Sequence, residues 1–330
     1  MSPSTPADAR PLAARPVAGR PGPSHRRLAR RAQCGSNLPD WGFGPHHRAI
    51  RTLNVAGTDR QYRVHLPEDY PAEGGHPVVL SFHGNGGTAK HQETATELSH
   101  KDVRINGRGI IAVYPQAMNG VGRKGDGSDI KASWQGAPYA AADPHDIEFT
   151  MQILDDLEAN LCVDSSRIYA SGKSNGGGFA NLLACTPAAT DRIAAFALSS
   201  PALYPGTRTA CAPSRPVPIL IAHGTGDGTI PYGGRRWGTP YEVPNIDDFA
   251  KDWAARNGLA ADNFGTAEPF TRTELWAWGG EGARDRVERL KISGLEHVWP
   301  SIAGLDQVGK VAPFEFTASA MVPFFDKYSL

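Results

Sequence analysis

The stretch from Arg167 to Cys185 constrains this chain more than any other. Arg167-Ile-Tyr-Ala-Ser171 is a short apolar run fit for a buried strand, and Asn175 to Cys185 reads as a helix directly after it. Only Gly172, Lys173 and Ser174 separate the two, so strand must become helix through one sharp corner. Gly172-Lys-Ser-Asn-Gly176 fits G-x-S-x-G, a pattern that is weak in isolation and specific between a strand and a helix. The flanking glycines suit such a corner because a Cβ at either place would crowd it. The corner exposes the Ser174 hydroxyl and aims a helix N-terminus at it, which favours developing negative charge.

Strand-like and helix-like segments alternate from Cys34 onward, which predicts a mostly parallel central sheet flanked by helices in a three-layer α/β sandwich. Tyr62 to Leu66 alternates as a partly exposed strand, whereas Pro77–Phe82 and Gly109–Tyr114 are continuous apolar runs expected of central strands. Asp146 to Leu161 is a helix with Ile147, Met151, Leu154, Leu157 and Leu161 on one stripe. Ala194–Leu198, Val217–Ala222, Glu274–Trp278 and Val287–Ile292 supply further strands, and the stretch from Phe316 reads as helical. Asn245 caps a helix that Gly258 closes. Gly120 to Gly136, rich in Gly and Asp, reads as a surface loop. No internal repeat or long linker divides residues 34–330, which reads as one catalytic domain.

A hydroxyl needs a base to become a nucleophile, and a serine on this kind of corner takes its acid and then its histidine later in the chain. Of eleven histidines only His297 follows Asp227, and it stands beyond the last predicted strand. Asp227 follows the strand Val217–Ala222, where a carboxylate could fix the tautomer of His297. Asp247 and Asp248 compete for the acid role, but they fall in the first turn of a helix and suit its dipole. Oxyanion donors are expected from the backbone N–H of Asn175 and from that of Asn85 or Gly86, in His83-Gly-Asn-Gly-Gly87 after an early strand. Metal chemistry has weak support: His46 and His47 are adjacent and point apart, and Asp126 and Asp129 read as solvated loop carboxylates.

Balanced charge, 34 basic against 34 acidic residues, gives no footprint for nucleic acid. No apolar run approaches the roughly 18 residues a membrane span needs, and the chain is expected to act as a monomer. The first 33 residues hold seven arginines and one acidic residue, so they read as a disordered leader or propeptide rather than as a secretory signal. Arg30-Arg31 would suit dibasic processing, and no N-glycosylation sequon occurs. Cys34, Cys162, Cys185 and Cys211 suit two disulfides in an oxidising compartment, with three connectivities open. Cys162 before a strand and Cys185 at the end of the next helix fall at the same sheet edge, which favours Cys162–Cys185 with Cys34–Cys211.

At several motifs the chain resembles the fungal feruloyl esterases of carbohydrate esterase family 1, a group related to poly(3-hydroxybutyrate) depolymerases and acetylxylan esterases. The similar segments are His83–Gly87, Ser133-Trp-Gln-Gly-Ala-Pro-Tyr139, Asp146-Ile-Glu-Phe149, Arg167–Gly178, His223–Tyr232 and Glu296–Pro300, across nearly all of residues 34–330. The resemblance implies an α/β-hydrolase fold, extracellular action and no cofactor. It implies Ser174, Asp227 and His297 as the triad, with feruloylated arabinoxylan or small phenolic esters as substrates. Trp134 resembles an aromatic near the acyl pocket, and a core tryptophan is the competing reading. Two departures stand out: Glu296 precedes His297 where a small residue is expected, and no clear signal peptide is visible. Acetylxylan esterase and short-chain polyester depolymerase are rival activities, and a non-catalytic binding protein is a rival class that an intact triad disfavours.

Overall fold

In the computed structural model the described residues are 34, 38–44, 47–71, 74–124, 127–208 and 210–330. The leader expected over 1–33, His46 and Asp126 lie outside them, and the described residues pack as one unit. Among the described residues twelve strands form in chain order: β1 Arg48–Val55, β2 Thr58–His65, β3 His76–Phe82, β4 Arg104–Ile105, β5 Arg108–Gly109 and β6 Ile111–Pro115; then β7 Val163–Lys173, β8 Ala195–Ser199, β9 Ile219–Gly224, β10 Gly265–Phe270, β11 Thr273–Trp278 and β12 Val287–Ile292. The helices are α1 Ala89–Thr96, α2 Asp146–Asn160, α3 Asn175–Ala184, α4 Pro187–Thr190, α5 Pro205–Arg208, α6 Ile246–Arg256 and α7 Val322–Asp326, the last preceded by a π-helical turn at Thr317–Met321.

Ten strands make one sheet in the order β1-β2-β6-β3-β7-β8-β9-β12-β11-β10. The run from β6 through β12 is parallel, and β1, β2, β11 and β10 add antiparallel edges. The central strands are apolar on both faces because both are covered. Along β3, Val78, Leu80 and Phe82 join the cluster that holds α2, α3 and α6. Val79 joins the opposite cluster, with Met321, Phe324 and Phe325 from the C-terminal helices. The six parallel strands therefore end along one edge, where the loops after β3, β7, β9 and β12 gather.

The disulfide pairing differs from the one expected. Cys34 bonds Cys162 and Cys185 bonds Cys211, with Cα–Cα distances of 4.9 and 4.3 Å. Sharing a sheet edge does not bring the end of α3 beside the start of β7. After α5 the chain instead returns to the C-terminus of α3, where the Ala212 N–H donates to the Cys185 carbonyl at 3.1 Å. That local return places Cys211 against Cys185 and leaves Cys162, at the start of β7, for Cys34.

Candidate active site

Ser174 occupies the corner between β7 and α3 with φ 54° and ψ −121°, a backbone state that costs a non-glycine residue roughly 1–3 kcal/mol. The surroundings enforce it. Its N–H donates to the Ser199 carbonyl at 3.0 Å, and its carbonyl accepts from Gly178 at 2.9 Å and Ala202 at 2.8 Å. A Cβ at Gly172 would lie 2.2 Å from the Gly176 carbonyl oxygen, and one at Gly176 would lie 2.2 Å from that of Phe82. Both flanking glycines are therefore steric requirements, and the serine is left 8% exposed.

Asp227 lies in the turn after β9, and its Oδ1 accepts the backbone N–H of Thr229 at 2.9 Å and of Ile230 at 2.7 Å. Its Oδ2 is 2.6 Å from Nδ1 of His297, which stands in the loop after β12. A second buried histidine, His223, donates Nε2–H to the Ile230 carbonyl at 2.8 Å and lies 3.2 Å from the same carboxylate oxygen. Burial alone would raise the Asp227 carboxyl, but hydrogen bonds from His223 and His297 hold it well below the usual carboxylate range. A carboxylate that stays ionised keeps the proton of His297 on Nδ1 and leaves Nε2 free as a base. Burial holds the His297 imidazole below its ordinary value, although Asp227 pulls the other way. Asp247, the rival acid, is committed elsewhere: it pairs with Arg289 at 3.0 Å and accepts from the Tyr232 hydroxyl. Asp248 stays in the first turn of α6. Glu296 turns to Lys310 at 2.6 Å, in an exposed pair.

The loop His83–Gly87 follows β3 and abuts Ser174, since a Cβ at Gly84 would lie 3.3 Å from the Ser174 Cβ. His83 Nδ1 donates to the Gly84 carbonyl at 2.7 Å while Nε2 accepts the Ala117 N–H at 3.2 Å. Burial drives its pKa down to about 4, so the ring is a neutral strut. Between the two donors expected from this loop the geometry discriminates. The Gly86 N–H donates to the Ala132 carbonyl at 2.8 Å and is spent. Of the two expected donors, that leaves the Asn85 N–H as the one this loop could offer.

Trp134 fits the core reading and not that of an aromatic near the acyl pocket. It is fully buried, stacked on Phe179 at 5.3 Å and edge-on to Phe82 at 5.1 Å, so no acyl group reaches it. Its indole N–H donates to the His83 carbonyl at 2.8 Å, and its backbone N–H donates to Asn175 Oδ1 at 2.7 Å. It therefore fastens the His83–Gly87 loop to the start of α3. Asp146 supports it by accepting the Gln135 N–H at 2.7 Å, and is itself held by a buried ion pair to Arg60 at 2.6 Å. Sequence reasoning assigned no role to His223, Asp146 or Asp306. An ion-pair partner for Lys173 was the one signal available, because a lysine beside a buried corner needs a counter-charge.

Two polar clefts flank Asn85. One, of about 320 Å³, is lined by Gly84, Asn85, His91, Lys173, Asp306 and Gln307; the other, of about 280 Å³, is lined by Asn85, Arg123, Asp129, Lys131 and Tyr139. Asp129 accepts the N–H groups of Arg123 and Lys124 at 3.1 and 3.2 Å. A larger cavity, about 410 Å³, includes His47, His65 and Ile110, at the opposite ends of the parallel strands and away from Ser174.

No family model matches the chain. Over 62% of its length it is 28% identical to feruloyl esterase B of Piromyces equi, covering 36% of that protein. Over 86% it is 26% identical to a bifunctional acetylxylan esterase/xylanase of Neocallimastix patriciarum, covering 38% of it. Over 61% it is 28% identical to a probable feruloyl esterase C of Aspergillus niger, covering 66% of it. The chain thus spans well under half the length of the first two relatives. Among solved structures, acetyl xylan esterase from Aspergillus awamori matches with TM-score 0.54 at 16% identity, over 76% of this chain and 94% of that one. Thermogutta terrifontis esterase 2 matches with TM-score 0.52 at 16% identity, over 86% and 94%. The chain has the α/β-hydrolase fold, and its sequence is similar to feruloyl and acetylxylan esterases.

Proposed function

We propose that this chain is a serine carboxylic ester hydrolase that removes feruloyl and related hydroxycinnamoyl groups from plant cell-wall arabinoxylan. The observation that carries the proposal is the 2.6 Å Asp227–His297 pair, built from loops that end at the same sheet edge as the strained Ser174 corner. In the proposed cycle His297 Nε2 takes the Ser174 hydroxyl proton as Oγ attacks the ester carbonyl. The Asn175 and Asn85 N–H groups hold the resulting oxyanion, and the proton passes to the leaving alcohol. Water, activated by the same imidazole, then hydrolyses the acyl-enzyme and frees Ser174. No step asks for a cofactor.

The names of the relatives support the substrate class, and the polar clefts beside Asn85 suit a hydroxyl-rich alcohol such as a sugar. Two disulfides favour an extracellular site of action. Acetylxylan is the second reading, favoured by the relative that aligns with the largest share of this chain among the three above. Methyl ferulate and acetylated birch xylan, assayed side by side, separate the two. The proposal expects faster release of ferulate, and cleavage of acetate alone would move the assignment to acetylxylan esterase.

A further inference from the structure

One buried carboxylate joins three parts of the site that distant stretches of chain supply. Asp306, with its side chain 3% exposed, lies in the loop that follows His297. Its Oδ2 accepts the Trp299 N–H at 2.8 Å, two residues past the base, and pairs with the Lys173 ammonium directly before the nucleophile. Its Oδ1 meets Nε2 of His91 at 3.0 Å, in the first turn of α1, just after the His83–Gly87 loop. Lys173 is itself nearly buried, and a buried ammonium without a counter-charge costs several kcal/mol.

We propose that Asp306 is a positioning residue that locks the His297 loop, the Ser174 corner and the start of α1 in one register, and that by neutralising Lys173 it sets how readily His297 takes a proton. The groups facing His297 are Asp227, bonded to its Nδ1; His223, on the same carboxylate; and Lys173. Glu296, next in sequence, is turned to Lys310. The groups on Asp306 are Lys173, His91 and the Trp299 N–H. Lys173 opposes the charging of His297, and Asp306, paired with Lys173, is placed to offset that opposition. The imidazole becomes imidazolium in the transition state, so an unpaired Lys173 would slow turnover as well as lower the proton affinity of the base.

The signs of two opposite substitutions test this. Asp306→Asn keeps an acceptor for Trp299 and leaves Lys173 uncompensated. Its acidic limb in kcat/KM for p-nitrophenyl acetate should move to lower pH by roughly half a unit or more, with kcat down about tenfold and KM within about twofold. Lys173→Met removes the cation and should move the limb to higher pH. The double variant should return it close to wild type. A purely structural Asp306 predicts lower stability with an unmoved limb, and that result, or two singles shifting in the same direction, would overturn the proposal. If Asp306→Asn does not fold, Lys173→Met decides alone: a limb that stays put refutes it. The proposal rests on the esterase reading only for its assay. If the wild type cleaves no ester, that reading fails, while an NMR titration of the His297 ring in the same variants still shows or fails to show the opposite shifts.

Discussion

His83 should make stability depend on pH in a way that one substitution isolates. Its ring donates from Nδ1 to the Gly84 carbonyl and accepts at Nε2 from the Ala117 N–H. Burial drives its pKa down to about 4, and protonation would also set an N–H against the Ala117 N–H. The unfolded chain protonates near 6.5, so below that pH it binds a proton that the folded chain refuses. Stability is therefore undiminished above pH ~6.5, declines as pH falls towards 4 and levels off below. One pKa unit is about 1.4 kcal/mol, so the penalty at pH 5 is about 2 kcal/mol relative to pH 8, against a ceiling of roughly 3 kcal/mol. His83→Gln cannot titrate and should lose that part of the dependence, whatever its absolute stability. Urea unfolding of both proteins at pH 8 and pH 5 measures the difference, and the contributions of His76 and His297 cancel between them. The same pH dependence in both, to within about 0.5 kcal/mol, would show that His83 carries its proton in the fold.

Three further outcomes follow from the same geometry. The acidic limb of kcat/KM should lie below pH ~6.5, because burial depresses His297, and a limb above that value would mean that Asp227 dominates. Trp134→Phe removes the donor to the His83 carbonyl and should cost about 1–3 kcal/mol in thermal unfolding. Its kcat should fall about tenfold or more with little change in KM, since the residue touches the oxyanion loop and no substrate. Peptide mapping without reduction should recover Cys34–Cys162 and Cys185–Cys211. Opening the latter as Cys185→Ser with Cys211→Ser should cost about 3 kcal/mol of stability for its 26-residue separation.

The parts legible in the sequence are those whose constraints are local. Gly172 and Gly176 announce the corner because backbone atoms lie where their Cβ atoms would be. The apolar runs at β3 and β6 announce central strands because both faces are covered. The polar helix α1, Ala89–Thr96, and the exposed edge strand β10 carry no such pattern and were not anticipated. The β1 strand was missed for a related reason: it exposes alternate residues of mixed chemistry at the sheet edge. The disulfide partners and the tie between Lys173 and Asp306, 133 residues apart, depend on where distant loops return, which no local spacing encodes. Trp134 shows the same limit in reverse. Its motif carried the resemblance, but only its zero exposure shows that it binds the His83–Gly87 loop from within the core.

The account stands on Ser174 as the nucleophile of an esterase, and methyl ferulate hydrolysis by wild type and Ser174→Ala tests that most directly. Steady release of ferulate by the wild type, with a loss of about a thousandfold or more in the variant, is the predicted result. Comparable hydrolysis by both proteins would contradict it and place the chemistry somewhere other than the corner between β7 and α3.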